Sequence, residues 1–151
     1  MMNAHPARIV LYVEDEENDR FLVDYAFKKA SPALILITAR DGVEAIQWLS
    51  ARAKPSAEEE TQLCCVLLDL NLPRKNGFEV LAWIREQPCY KVVPVIIFTS
   101  SDHPNDRERA LALGATRFEV KTGHFRDYER LALSLENPDK GEAGPNGHPE
   151  P

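Results

Sequence analysis

The chain has 151 residues, a formal charge of −6 at pH 7 and a pI near 5.2, with 44% hydrophobic and 28% charged residues. That length suits one domain with a single sizeable core, and the acidic balance excludes the basic surface on which nucleic-acid binding depends. No apolar run approaches the length of a membrane helix, the polar start Met1 to Arg8 carries no secretory-type segment, and the three cysteines, Cys64, Cys65 and Cys89, lack metal-type spacing.

Ile9 to Val13 (IVLYV) is a β-branched and aromatic run that ends in the acids Glu14-Asp15. Glu17 to Ala30 follows with apolar residues four apart, Phe21 with Tyr25 and Val23 with Phe27, a helical spacing that Pro32 ends. Ala33 to Thr38 (ALILIT) reads as the second strand. Asp41-Gly42 reads as a turn and helix cap, before a helix with Val43, Ile46 and Leu49 on one face. Lys54 to Gln62, with three consecutive glutamates, reads as an exposed loop.

The third strand is expected at Cys64 to Leu68, with both of its cysteines as buried reduced thiols, which suits a cytoplasmic protein. Gly77 opens a third helix in which Val80, Leu81 and Ile84 share a face, and Pro88 ends it. Val92 to Phe98 (VVPVIIF) is the fourth strand, with Pro94 near its start. A fourth helix runs from about Asn105 to Gly114, a natural C-terminal stop. Ala115 to Val120 is the fifth strand, and Phe125, Tyr128, Leu131, Ala132 and Leu135 line a last helix. From Glu136 onward four prolines, three glycines and no large apolar residue predict a disordered tail, 136–151.

Strand and helix alternate five times. Continuous apolar strands between amphipathic helices indicate an α/β fold with a parallel sheet covered on both faces. Right-handed crossovers leave few topologies. The expectation is a doubly wound, flavodoxin-like five-stranded sheet in the order 2-1-3-4-5, with its site beyond the carboxyl ends of strands 1 and 3.

Those ends carry Glu14, Asp15 and Asp69. Three carboxylates at one rim repel one another unless a cation joins them. A hard divalent ion with oxygen ligands relieves the repulsion, and Mg²⁺ suits a site with few protein carboxylates because it keeps several waters. The backbone carbonyl of Asn71 is a further oxygen near Asp69. Glu16 and Glu17 have a simpler reading, as acids at a helix N-terminus. Thr99 and Ser100 follow the fourth strand, where a hydroxyl either serves the site or caps the next helix. Lys121 follows the fifth strand, placed to pair with carboxylates or to meet a phosphoryl oxygen as a point charge.

Glu14-Asp15, the segment Leu67-Leu68-Asp69-Leu70-Asn71-Leu72-Pro73 with Gly77, Thr99, and Phe118 with Lys121 resemble, in this order, the motifs of the receiver domains of bacterial two-component response regulators. The resemblance spans about Ala7 to Leu135 and implies a 1–7 tail, a receiver domain over 8–135 and the 136–151 tail. It implies Asp69 as phosphoacceptor for a phosphohistidine on a sensor kinase. It also implies Asp15, Asp69 and the Asn71 carbonyl as Mg²⁺ ligands, with Glu14 acting directly or through water. Lys121 and Thr99 are implied to contact phosphoryl oxygens, with Ser100 secondary. Phe118 is the implied aromatic rotor that couples Thr99 to a surface of helix 4, strand 5 and helix 5. The chain would catalyse only its own phosphorylation and dephosphorylation.

Two positions depart from the family. Its Lys-Pro pair, with a cis peptide, is Lys121-Thr122 here. A cis bond before a non-proline residue costs about 3–4 kcal/mol, which leaves a trans loop or a strained cis one. Phe118 stands where tyrosine is common and keeps the ring without the phenolic hydroxyl. The missing Lys-Pro, the Glu14-Asp15 pair, the Asp-Leu-Asn-Leu-Pro segment and the long loop before strand 3 are similar to stand-alone regulators paired with phytochrome-type histidine kinases, which implies a homodimer through the helix 4–strand 5–helix 5 surface.

Alternatives of other classes fit less well. Haloacid-dehalogenase-type phosphatases favour a second aspartate two residues after the nucleophile, and Asn71 cannot supply a proton in that way. A flavin-binding module needs a phosphate-cradling loop after strand 1, where Glu14-Asp15-Glu16-Glu17 would repel the phosphate. Within the receiver reading, a relay to a histidine phosphotransfer protein, a phosphate sink, a target-binding switch and a dimer switch all stay open.

Overall fold

The computed structural model describes residues 6–53 and 61–137. Its strands are β1 (Ala7–Val13), β2 (Leu34–Ala39), β3 (Thr61–Leu68), β4 (Val95–Thr99) and β5 (Arg117–Val120). The helices are α1 (Glu17–Ala30), α2 (Gly42–Arg52), α3 (Gly77–Glu86), α4 (Pro104–Ala112) and α5 (Phe125–Ser134). All paired strands are parallel, in the order β2-β1-β3-β4-β5. This is the doubly wound, flavodoxin-like sheet expected from the alternation of elements.

Side chains alternate across a strand, and that alternation divides the core in two. Leu11, Val13, Val66, Leu68, Val95 and Ile97 point to the face packed by residues of α2, α3 and α4. Val10, Tyr12, Cys65, Leu67, Ile96 and Phe98 point to the face packed by α1 and α5. Both faces of β1, β3 and β4 are therefore dry, which explains their unbroken apolar runs. A register shift between Ile9 and Val10 breaks the alternation once: Ile9 pairs with Leu63 but Val10 with Cys65. This irregularity puts the adjacent Cys64 and Cys65 into the same cluster, and both are buried free thiols.

In α1 only one of the two apolar pairs faces inward. Val23 and Phe27 are buried, each worth about 1.5–3 kcal/mol of transfer free energy, whereas Phe21 and Tyr25 are exposed and stacked on each other. Asp41 caps α2 by accepting the Glu44 amide proton. Asn76 and Glu79 form a reciprocal capping box on α3. Strand β4 begins three residues later than its apolar run, because a 3-10 turn (Pro88–Tyr90) and Pro94 occupy the approach and Val92 is exposed. Strand β5 likewise begins at Arg117 rather than Ala115. Gly114 ends the α4 region with φ 108°, a left-handed conformation that glycine adopts at no steric cost.

Of the exposed loop expected at Lys54 to Gln62, residues 54–60 lie outside the described residues, as do most of both expected tails, and Thr61 and Gln62 instead belong to β3, where they pair with Ala7 and Arg8 of β1. Among the described residues no helix is long and apolar enough to cross a membrane.

Candidate functional site

Backbone pairing brings the strand ends together. The Asp69 amide donates to the Val13 carbonyl (3.1 Å) and the Glu14 amide to the Ala39 carbonyl (2.9 Å), so each acid emerges where the ladder ends. The Lys121 amide donates to the Thr99 carbonyl (2.7 Å), tying the fifth strand end to the fourth. Gly77 explains how α3 approaches so closely: a Cβ there would overlap the Asp69 carbonyl and Leu70 Cα. The Gly77 amide donates to the Leu70 carbonyl at 3.0 Å.

Glu14, Asp15 and Asp69 each place a carboxylate oxygen within 4.8 Å of the others. Glu14 and Asp69 are buried, while Asp15 is exposed. Lys121 Nζ sits against this group, 2.6 Å from Glu14 Oε1 and 3.3 Å from Asp69 Oδ2. It also lies 2.9 Å from Asp19 Oδ2. The Tyr12 hydroxyl donates to Glu14 Oε1 at 3.3 Å, and the Glu16 amide donates to Glu14 Oε2 at 3.1 Å.

The charges do not balance comfortably. Burial, and then the neighbouring Asp69 charge, push the Glu14 carboxyl up to about 7, against the opposing pull of Lys121. For Lys121, burial favours the neutral amine, but Asp69, Asp19 and Glu14 together hold it above its ordinary value. Burial and the same acids raise Tyr12, which keeps it a hydrogen-bond donor. A buried acid whose ionisation is made harder beside two further carboxylates has the character of an oxygen-donor site for a hard divalent cation.

Asn71 is exposed, donates its amide to Asp69 Oδ1 (3.3 Å), and lines with Asp15 an open groove of ≈ 500 Å³ that runs to Asp106 and Arg109 of α4. Thr99 is fully buried, and its hydroxyl accepts the Ser101 amide proton at 3.4 Å. Ser100 is exposed. His103 caps α4 through Nδ1, which accepts the Asn105 amide proton. The Phe118 ring is buried in the α2–α3–α4 cluster, with the Arg107 guanidinium 5.7 Å from its centroid.

No described peptide bond is cis, so Lys121-Thr122 is trans. Thr122 compensates for the absent proline ring with its side chain. Its hydroxyl donates to Asp127 Oδ2 (2.7 Å) and accepts the His124 amide proton (3.1 Å), holding the loop against the start of α5.

Asp19 and Tyr12 are the site residues that sequence reasoning missed. Asp19 offered no signal of its own, since acids are ordinary in the first turn of a helix. Tyr12 had none, since an aromatic residue inside a strand reads as core.

The family model for the response regulator receiver domain matches residues 10–131. Among curated relatives, the response regulator Rcp1 of Synechocystis sp. is 31% identical over 134 residues, covering 89% of this chain and 90% of that protein. The solved structure of the phosphorylated cyanobacterial phytochrome response regulator RcpA is 30% identical with a TM-score of 0.73, covering 87% of this chain and 92% of that one. The Mn²⁺-bound form of Rcp1 is 30% identical with a TM-score of 0.71, covering 89% and 97%. The sheet order, the acids at its carboxyl edge and these matches agree: the chain belongs to the response regulator receiver domain family.

Proposed function

We propose that the chain is a response regulator receiver that accepts a phosphoryl group on Asp69 from the phosphohistidine of a sensor histidine kinase. One observation carries the reading: Lys121, with its side chain largely shielded from solvent, bridges Glu14 and Asp69 within the three-acid cluster that ends β1 and β3. An Asp69 carboxylate oxygen attacks phosphorus, the bond from phosphorus to the donor imidazole nitrogen breaks, and the electron pair returns to that nitrogen. Lys121 meets the negative charge of the transferring group, and Thr99, at the adjacent strand end, donates a hydrogen bond to it. Positioning and charge neutralisation are most of what this transfer requires.

Asp15, Asp69 and the Asn71 carbonyl, with Glu14 directly or through water, would hold Mg²⁺. The bound ion supplies positive charge to the phosphoryl oxygens. The all-oxygen donor set supports this, as does the raised Glu14 carboxyl, which ionises more readily beside a cation. The likeness to RcpA, described as a phytochrome response regulator, supports a phytochrome-type kinase as donor.

The added charge of about −1.5 to −2 draws Thr99 and frees space for Phe118, which alters the α4–β5–α5 surface. Output through a homodimer on that surface is supported by exposed Leu111 on α4 and Leu133 on α5. A relay to a histidine phosphotransfer protein would use the same Asp69 chemistry in reverse.

The test is transfer from autophosphorylated histidine kinases of the host. Radiolabel should move from one kinase to this chain with Mg²⁺ and stay on the kinase with chelator. Absence of transfer from every kinase would overturn the reading and leave a receiver that works without phosphorylation.

A further inference from the structure

The Lys121 ammonium has three N–H donors and meets three carboxylates, Glu14, Asp19 and Asp69. Two of the three belong to the cluster that would hold the cation, so their oxygens would be shared with it, and Asp69 would also carry the phosphoryl group. Asp19 lies outside that cluster. It is therefore the partner whose hold on Lys121 need not change as the site fills.

The position of Asp19 suits an anchor. It lies in the first turn of α1, where a negative side chain is favoured. The helix is held to the sheet by buried Val23, Ala26 and Phe27. Lys121 directly follows β5, its side chain only 9% exposed. The Asp19–Lys121 ion pair thus spans from α1 to the loop before α5.

We propose that Asp19 is a positioning residue. It keeps the Lys121 ammonium at the mouth of the site while Glu14 turns to the cation and Asp69 takes up the phosphoryl group, so that Lys121 meets the phosphoryl oxygens from a set place. The inference rests on the reading of Asp69 as phosphoacceptor.

A double-mutant cycle with Lys121→Ala tests it in the full chain. With Mg²⁺ and a small-molecule phosphodonor, Asp19→Asn should slow phosphorylation about tenfold, within the range expected for coupled charged neighbours. In the Lys121→Ala background it should change the rate less than about twofold, since the partner is gone. Beryllofluoride affinity, followed by fluorine NMR, reads the same cycle at equilibrium without turnover. Asp19→Glu should restore part of the loss.

A metal-free readout separates positioning from catalysis. Nitrogen NMR relaxation of the Lys121 ammonium should show greater mobility in Asp19→Asn than in the unsubstituted chain. Equal losses in both lysine backgrounds, unchanged ammonium mobility, or faster phosphorylation of Asp19→Asn would each overturn the proposal. Failure of the underlying reading is distinct: there the unsubstituted chain takes no phosphoryl group, or Asp69→Asn takes it equally well.

Discussion

The fold carries the titration of the Glu14 carboxyl into the neutral pH range. Burial and Asp69 raise that carboxyl from the ordinary 4.5 to about 7. Its folded-state value lies above its unfolded one, so the protonated form favours the fold. That contribution is full at pH values below about 4.5 and is lost as pH rises through about 7. In chelator, the melting temperature of the unsubstituted chain should therefore decline across this window relative to that of Glu14→Gln, which cannot ionise. Parallel melting curves for the two proteins would contradict it. Mg²⁺ should reverse the trend, raising the melting temperature more at pH 8 than at pH 6, because binding at the lower pH must first displace a proton. Asp69, Asp15, Glu14 and Lys121 were legible in the sequence because each follows an apolar strand run. Asp19 was not, since an acid in the first turn of a helix is equally well explained by the helix dipole.

Among the elements, α3 is held at both ends by features that act on the site or on its frame. At its start, Gly77 permits contact with the Asp69 backbone. Gly77→Ala should cost about 1–3 kcal/mol through overpacking, measured by urea unfolding, and should also weaken Mg²⁺ binding because the Asp69 backbone must move. Full stability and unchanged Mg²⁺ affinity would show that α3 can shift freely. At its other end, Arg85 donates to the carbonyls of Gly114, Tyr90 and Val93. Arg85→Ala should lose about 2–3 kcal/mol, given the strength of hydrogen bonds from charged donors, with phosphorylation unchanged in the folded fraction.

The same region shows where sequence patterns mislead. Val92 and Val93 extend the apolar run of β4, yet they lie in a turn and bend after the 3-10 segment, and the register with β3 starts only at Val95. Similarly, Phe21 and Tyr25 share the helical spacing of Val23 and Phe27, but spacing identifies a shared face without saying which face is buried. The bond from the Thr122 hydroxyl to Asp127 reaches five residues on, and no local motif announced it.

For the molecule as a whole, the sheet order was legible because runs apolar on both faces require helices on both sides, and right-handed crossovers leave few arrangements. The division of helices between faces then follows from which side chains of each strand point where. The proposed output is a property of the whole surface. Sedimentation or light scattering should show the mass doubling when beryllofluoride and Mg²⁺ are added, and Leu111→Glu should prevent it. A chain that stays monomeric would reject the dimer and favour relay or target binding.

Intact-mass measurement after incubation with Mg²⁺ and a small-molecule phosphodonor tests the Asp69 chemistry most directly. The unsubstituted chain should gain the mass of one phosphoryl group, in an acid-stable and base-labile form, and Asp69→Asn should gain none. Full labelling of Asp69→Asn, or no labelling of the unsubstituted chain, would contradict the assignment of Asp69 as phosphoacceptor.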